Sequence, residues 1–170
     1  MQDLMLEPLS KEAFAPFGDV IEIDGSDWFH INNGTTERYH RLADVEITGS
    51  DGRPIISLAR GDAFDAPLVV KMLERHPLGS QAWIPFSRVP FIVVVAPNGE
   101  DDKPDTSRMR AFYAEGNQGV NYHQGTWHHP LMSFRSRGEF IVVDRAGTAP
   151  NCDEAFFDDT WQIQGLPENA

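Results

Sequence analysis

Leu73-Glu74-Arg75-His76-Pro77-Leu78-Gly79-Ser80-Gln81-Ala82-Trp83-Ile84-Pro85 reads as strand, turn and strand. Along a strand every second side chain shares a face, so Glu74 and His76 point the same way. Pro77 to Gly79 reverses the chain, which the reading takes as a hairpin that sets Gln81 opposite the pair. One carboxylate, one imidazole and one amide then converge inside a β-barrel.

The surrounding chain has the same character: short runs of Val, Ile, Phe, Tyr and Trp punctuated by Gly, Pro and Asp. Strands are expected near Asp19–Ile23, Trp28–Asn32, Glu37–Ile47, Ile55–Arg60, Leu68–His76, Gln81–Pro85, Phe91–Ala96, Met109–Ala114, Val120–His123, Thr126–Phe134 and Glu139–Asp144. Turn segments such as Gly49-Ser50-Asp51-Gly52 and Pro97-Asn98-Gly99 supply the reversals between them. Helical periodicity is scarce. Ser10 can cap one short helix over Lys11–Ala15, and a second is expected near Asp105-Thr106-Ser107. The fold class is therefore all-β, an antiparallel barrel or jelly roll with one or two short helices, in a single domain over residues 1–170.

Composition narrows the function. The 170 residues carry 14 Lys plus Arg against 26 Asp plus Glu, a formal net charge of -12. Phosphate contacts need local positive charge, so the reading expects no nucleic acid and no anionic membrane surface as partner. The acidic excess is assigned to loops and the tail, at Glu100–Asp105 and Asp153–Asp159, with a frayed end over Gly165–Ala170. The longest purely apolar run, Phe91–Ala96, is too short to span a bilayer, and the start Met1-Gln2-Asp3-Leu4 lacks the features of a signal peptide. The single cysteine, Cys152, reads as a reduced loop thiol and excludes an internal disulfide. A cytoplasmic protein acting on a small molecule fits these limits.

Four of the six histidines fall in two segments: His76 in the stretch quoted first, and His123, His128 and His129 in Tyr122-His123-Gln124-Gly125-Thr126-Trp127-His128-His129-Pro130. Alternation allows only one of His128 and His129 to face a barrel interior and does not choose between them. Metal chemistry wants imidazoles and a carboxylate converging with an open position, a set that Glu74, His76 and one histidine of the second segment can supply. A histidine among strand aromatics is by itself more often a packed core residue, so the weight rests on the two segments together. The arginines Arg38, Arg60, Arg75, Arg110 and Arg145 read as surface or ion-paired residues, yet an anionic substrate requires at least one.

The strings Phe29-His30-Ile31-Asn32-Asn33-Gly34, Glu37-Arg38-Tyr39-His40, Leu73–Gly79, Gly119-Val120-Asn121-Tyr122-His123 and Trp127-His128-His129-Pro130-Leu131 resemble the ureidoglycolate lyase family of the cupins, over about Leu6 to Asp153. In the cupin pattern Glu74 and His76 take the places of two histidines and Gln81 that of a carboxylate. His123-Gln124-Gly125-Thr126-Trp127-His128 matches the second motif, with His123 in place of its proline, which makes His128 the inward candidate. The resemblance implies cleavage of (S)-ureidoglycolate to glyoxylate and urea in allantoin breakdown, by an enzyme expected to be a homodimer.

On that basis Glu74, His76, Gln81 and His128 surround the substrate's hydroxyl and carboxylate, directly or through a divalent ion such as nickel or another transition ion. His123 is the expected acid for the departing urea nitrogen, and Arg38 or Arg60 the expected clamp on the carboxylate. Glu and Gln in place of His and Glu make a weaker ligand set than a standard cupin has. Two alternatives stand beside the lyase: an amidohydrolase releasing ammonia and carbon dioxide, and a non-catalytic cupin that binds a small acid or sugar.

Overall fold

The computed structural model describes residues 1–168. In chain order the strands are β1 (Gln2–Pro8), β2 (Gly18–Ile21), β3 (Trp28–Ile31), β4 (Thr36–Tyr39), β5 (Arg53–Gly61), β6 (Ala63–Phe64), β7 (Val69–Arg75), β8 (Gln81–Pro85), β9 (Phe91–Ala96), β10 (Arg110–Ala114), β11 (Gly119–Tyr122), β12 (Trp127–His128), β13 (Met132–Phe134), β14 (Gly138–Ala146) and β15 (Asp153–Gln164). One four-residue helix, α1 (Lys11–Phe14), is capped by Ser10, whose hydroxyl oxygen accepts from the Ala13 amide at 3.2 Å. A cap of this kind contributes about 1 kcal/mol. Asp105 does the same for a 3₁₀ turn at Thr106–Arg108. Both short helices stand where the cap residues place them.

Two large sheets organise the rest, apart from β3 and β4, which pair with each other as a separate hairpin. The first runs β10-β1-β15-β7-β12-β9-β13-β6, and because β9 also pairs with β10, six of its strands close into a ring. All six ring strands contribute to the core inside it, which includes Leu4, Val70, Leu73, Val94, Ala111, Trp127 and Ile163. The second sheet runs β2-β11-β8-β14-β5. It packs against the outside of the ring over a second core that includes Phe14, Phe17, Phe91, Val93, Val95, Phe112, Val120, Tyr122 and Phe140. Strand β9 is the shared wall: its even residues enter the ring and its odd residues face the second sheet. A strand buried on both faces cannot alternate apolar with polar, which is why Phe91–Ala96 is an unbroken apolar run. The fold is all-β, as the strand pattern implied, and cupin-like, as the resemblance implied.

Three readings of the sequence need correction. Pro77–Ser80 does not close a hairpin, because β7 and β8 lie in different sheets; the segment is a corner, held by the Leu78 amide donating to Asn151 Oδ1 and by Ser80 Oγ accepting from the Glu46 amide. Turn chemistry announces a reversal and does not say which sheet receives the next strand. The sequence pattern places no strand before Asp19 and assigns Asp153–Asp159 to loop or tail, yet β1 lies parallel to both β10 and β15, and β15 pairs antiparallel with β7. The acidic stretch Asp153–Asp159 is therefore strand. The strand expected over Glu37–Ile47 stops at Tyr39, and Thr126–Phe134 is divided around His129–Leu131. Of the expected frayed tail, residues 165–168 carry no strand or helix and 169–170 lie outside the described residues.

Candidate active site

Strand β7 brings Glu74 and His76 to one face, and Arg75 to the other, where its guanidinium lies 4.6 Å over the Trp127 ring and binds Asp102 and Asp153. Strand β12 settles the choice between adjacent histidines. His128 is in register with Glu74 on one side and Val95 on the other, and is buried against the space between the sheets. His129, just past the end of β12, donates from Nδ1 to the Pro130 carbonyl at 2.7 Å. Glu74, His76 and His128 thus present one ligand atom each within 4.8 Å of one another.

Their hydrogen bonds fix the chemistry. A carbonyl oxygen only accepts, so His76 donates from Nδ1 to Asn151 O at 2.8 Å and His128 donates from Nδ1 to Thr126 O at 2.9 Å. In neutral imidazoles the lone pairs then sit on the two Nε2 atoms, both buried and without a hydrogen-bond partner. Those atoms face Glu74 Oε1, at 4.0 Å from His76 and 3.6 Å from His128. Contact with His128 is the chief cause holding the Glu74 carboxyl below its ordinary range, while burial pushes His128 downward and so favours its neutral form. Three acceptors converge with no donor among them. An unpaired buried polar group costs roughly 1–3 kcal/mol, so two lone pairs beside an anion form a ready seat for a cation. This donor set suits a divalent transition ion and leaves positions open for substrate.

The second sheet forms the opposite wall. Tyr122 stacks on His128 with ring centroids 4.1 Å apart, and Gln81 is Tyr122's register partner. The Gln81 amide is held at both ends: its Oε1 accepts from Trp83 Nε1 at 2.8 Å and its Nε2 donates to Asp144 Oδ2 at 3.1 Å. Gln81 therefore faces the triad across the gap, but its carbonyl oxygen is already engaged. Tyr122, Trp83 and Asp144 had no place in the sequence reading of the site; the strand period around Gln81 and along Glu139–Asp144 was the available signal, and it lacked the register that joins them.

The remaining sequence candidates stand elsewhere. His123 follows Tyr122 and takes the opposite face, where its Nε2 lies 3.2 Å from Asp19 Oδ2 in a cleft of about 390 Å³ that Lys11, His40 and Arg41 also line. Arg60 pairs with Glu139 at 2.6 Å, and Arg38 lies on the separate β3–β4 hairpin opposite Phe29. Cys152 is exposed, with its sulfur 3.9 Å from Glu74 Oε2. Among the described residues no helix is long and apolar enough to cross a membrane.

Residues 1–164 match the family described as Ureidoglycolate lyase. The chain belongs to the ureidoglycolate lyase family. Its similarity to individual members is high along nearly the whole length: 60% identity over 157 residues with the ureidoglycolate lyase of Pseudomonas fluorescens, covering 92% of this chain and 93% of that one. The lyase of Stutzerimonas stutzeri is 57% identical over 170 residues, covering 100% of this chain and 99% of its own. A third, from Pseudomonas putida, is 59% identical over 157 residues, covering 92% and 93%.

Proposed function

We propose that this chain is a ureidoglycolate lyase, releasing glyoxylate and urea, and that the reaction takes place between Glu74, His76 and His128 on one wall and Gln81 on the other. The observation that carries the site is the pair of buried, unpartnered Nε2 atoms aimed at one carboxylate oxygen. The substrate is a carbinolamide, so the reaction needs a group that takes the 2-hydroxyl proton while the C–N bond breaks and the urea nitrogen gains a proton. No strong nucleophile is required. A divalent transition ion, nickel or another, would be held by Glu74, His76 and His128 and would acidify the hydroxyl. The chain's own part is to orient both imidazoles through Asn151 O and Thr126 O, and to keep Glu74 ionised between them.

Product analysis tests this reading. Purified protein incubated with ureidoglycolate should release urea and glyoxylate in equal amounts, and chelation should abolish the release until metal is restored. Ammonia in place of urea would convert the reading to an amidohydrolase, and neither product would leave a binding module. The same reading carries the family's expected homodimer in the cytoplasm. Exposed Ile56 and Leu58 on β5, and Trp28 and Phe29 on the β3–β4 hairpin, offer apolar surface for it; light scattering on the same preparation should give twice the chain mass.

A further inference from the structure

A substrate with a carboxylate calls for a positively charged side chain, and the triad of Glu74, His76 and His128 contains neither lysine nor arginine. Arg75 faces away and is bound by two aspartates. Arg145 is buried behind the second sheet, donating to Thr48 O at 2.7 Å and paired with Asp51. Strand register leads to an arginine that sequence patterning passed over. Phe140 and Val142 on β14 are buried, with Phe140 packed in the core between the sheets, and alternation carries that face on to Asp144 and Ala146. The hydrogen bond from Gln81 to Asp144 agrees with this facing. Strand β5 pairs antiparallel with β14, and the partners of Phe140, Val142, Asp144 and Ala146 are Ala59, Ser57, Ile55 and Arg53. Arg53 thus stands on the site's face of the sheet, about 7 Å along the strand from the row of Gln81 and Asp144. Arg60, of opposite parity, shares the outer face with Ile56 and Leu58.

Arg53 is exposed, and among the described residues its guanidinium has no hydrogen bond or ion pair. On the same face, with β14 lying between the two residues, the orientation of the Gln81 amide is fixed. An indole N–H can only donate and a carboxylate only accept, so Oε1 is fixed toward Trp83 and Nε2 toward Asp144, leaving the second N–H of Nε2 uncommitted. We propose that Arg53 receives the carboxylate of the substrate as a two-pronged charged donor, with the uncommitted N–H of Gln81 as a neighbouring donor. The assignment rests on the lyase reading for the identity of the substrate and on strand register for the identity of the arginine.

Steady-state urea release and calorimetric titration with glyoxylate, which carries a carboxylate and needs no turnover, test it with Arg53→Ala and Arg53→Lys. Arg53→Ala should raise KM by about 30-fold or more, change kcat by less than about 3-fold, and weaken glyoxylate binding by about 10-fold or more, with Arg53→Lys recovering part of each loss. Unaltered KM and glyoxylate affinity in Arg53→Ala would overturn the assignment. So would the same losses in Arg38→Ala or Arg60→Ala but not in Arg53→Ala, and so would a wild-type protein that binds no glyoxylate. Glyoxylate binding that depends on Arg53, in a protein that releases no urea, would overturn the lyase reading and leave the anion site standing.

Discussion

His123 with Asp19 and His128 with Glu74 each set an imidazole against a carboxylate, on opposite sides of the second sheet. The first pair is open to water, with side chains 40% and 33% exposed, and Asp19 also accepts from Asn121 Nδ2 at 3.0 Å. Donors and acceptors there are matched. In the second pair His128 is 3% exposed, its only polar hydrogen is given to Thr126 O, and its lone pair joins that of His76 in front of an anion. What separates the two pairs is burial together with an excess of acceptors.

The largest expected effect breaks the second pair. His128→Ala should lower kcat/KM about 1000-fold and strip the bound metal, read by urea release and by elemental analysis, with circular dichroism checking that the barrel persists. Retention of near wild-type activity would remove His128 from the chemistry. A much smaller change is expected at the first pair: His123→Ala should alter kcat/KM by no more than about 5-fold, since a matched exposed pair contributes little. A loss on the scale of His128→Ala would make the two pairs one site and restore His123 as the acid.

The smallest effect is on stability in the metal-free protein. Burial depresses His128 below its ordinary value of 6.5, so the unfolded chain binds more protons than the native one as pH falls below that value. Stability should be full above about 6.5, decline as pH falls below it, and level off once the native imidazole is protonated. Glu74, also depressed, acts in the same direction only below its ordinary 4.5. Thermal melts across this range should show the decline in the wild type and a shallower one in His128→Gln. An equal decline in both would assign it to other groups.

The sequence disclosed what depends on neighbours along the chain. Ser10 and Asp105 marked their helices, Phe91–Ala96 marked a strand buried on both sides, and the period of two joined Glu74 to His76. What depends on partners across a sheet was hidden. The choice of His128 over His129 needs the register of β12 on β7, and the facing of Arg53 against Arg60 needs the register of β5 on β14. The hairpin expected at Pro77–Gly79 failed for the same reason, since the corner is held by Asn151 and Glu46, 73 and 34 residues away from their partners. Strand β15 went unread because its first half alternates exposed Glu154, Phe156 and Asp158 with half-buried Asp153, Ala155 and Phe157, so acidic and apolar residues fall on both faces, and only Trp161 and Ile163 are buried.

The ring that backs the site is closed by the two ends of the chain, with Gln2–Met5 lying against Trp161–Gln164. During synthesis, therefore, β1 must wait beside β10 for almost the entire chain to emerge before its second edge is covered. Until then the wall that carries Glu74 lacks the strand beside it, so a ribosome-bound chain cut short of β15 presents an open edge rather than a smaller working barrel.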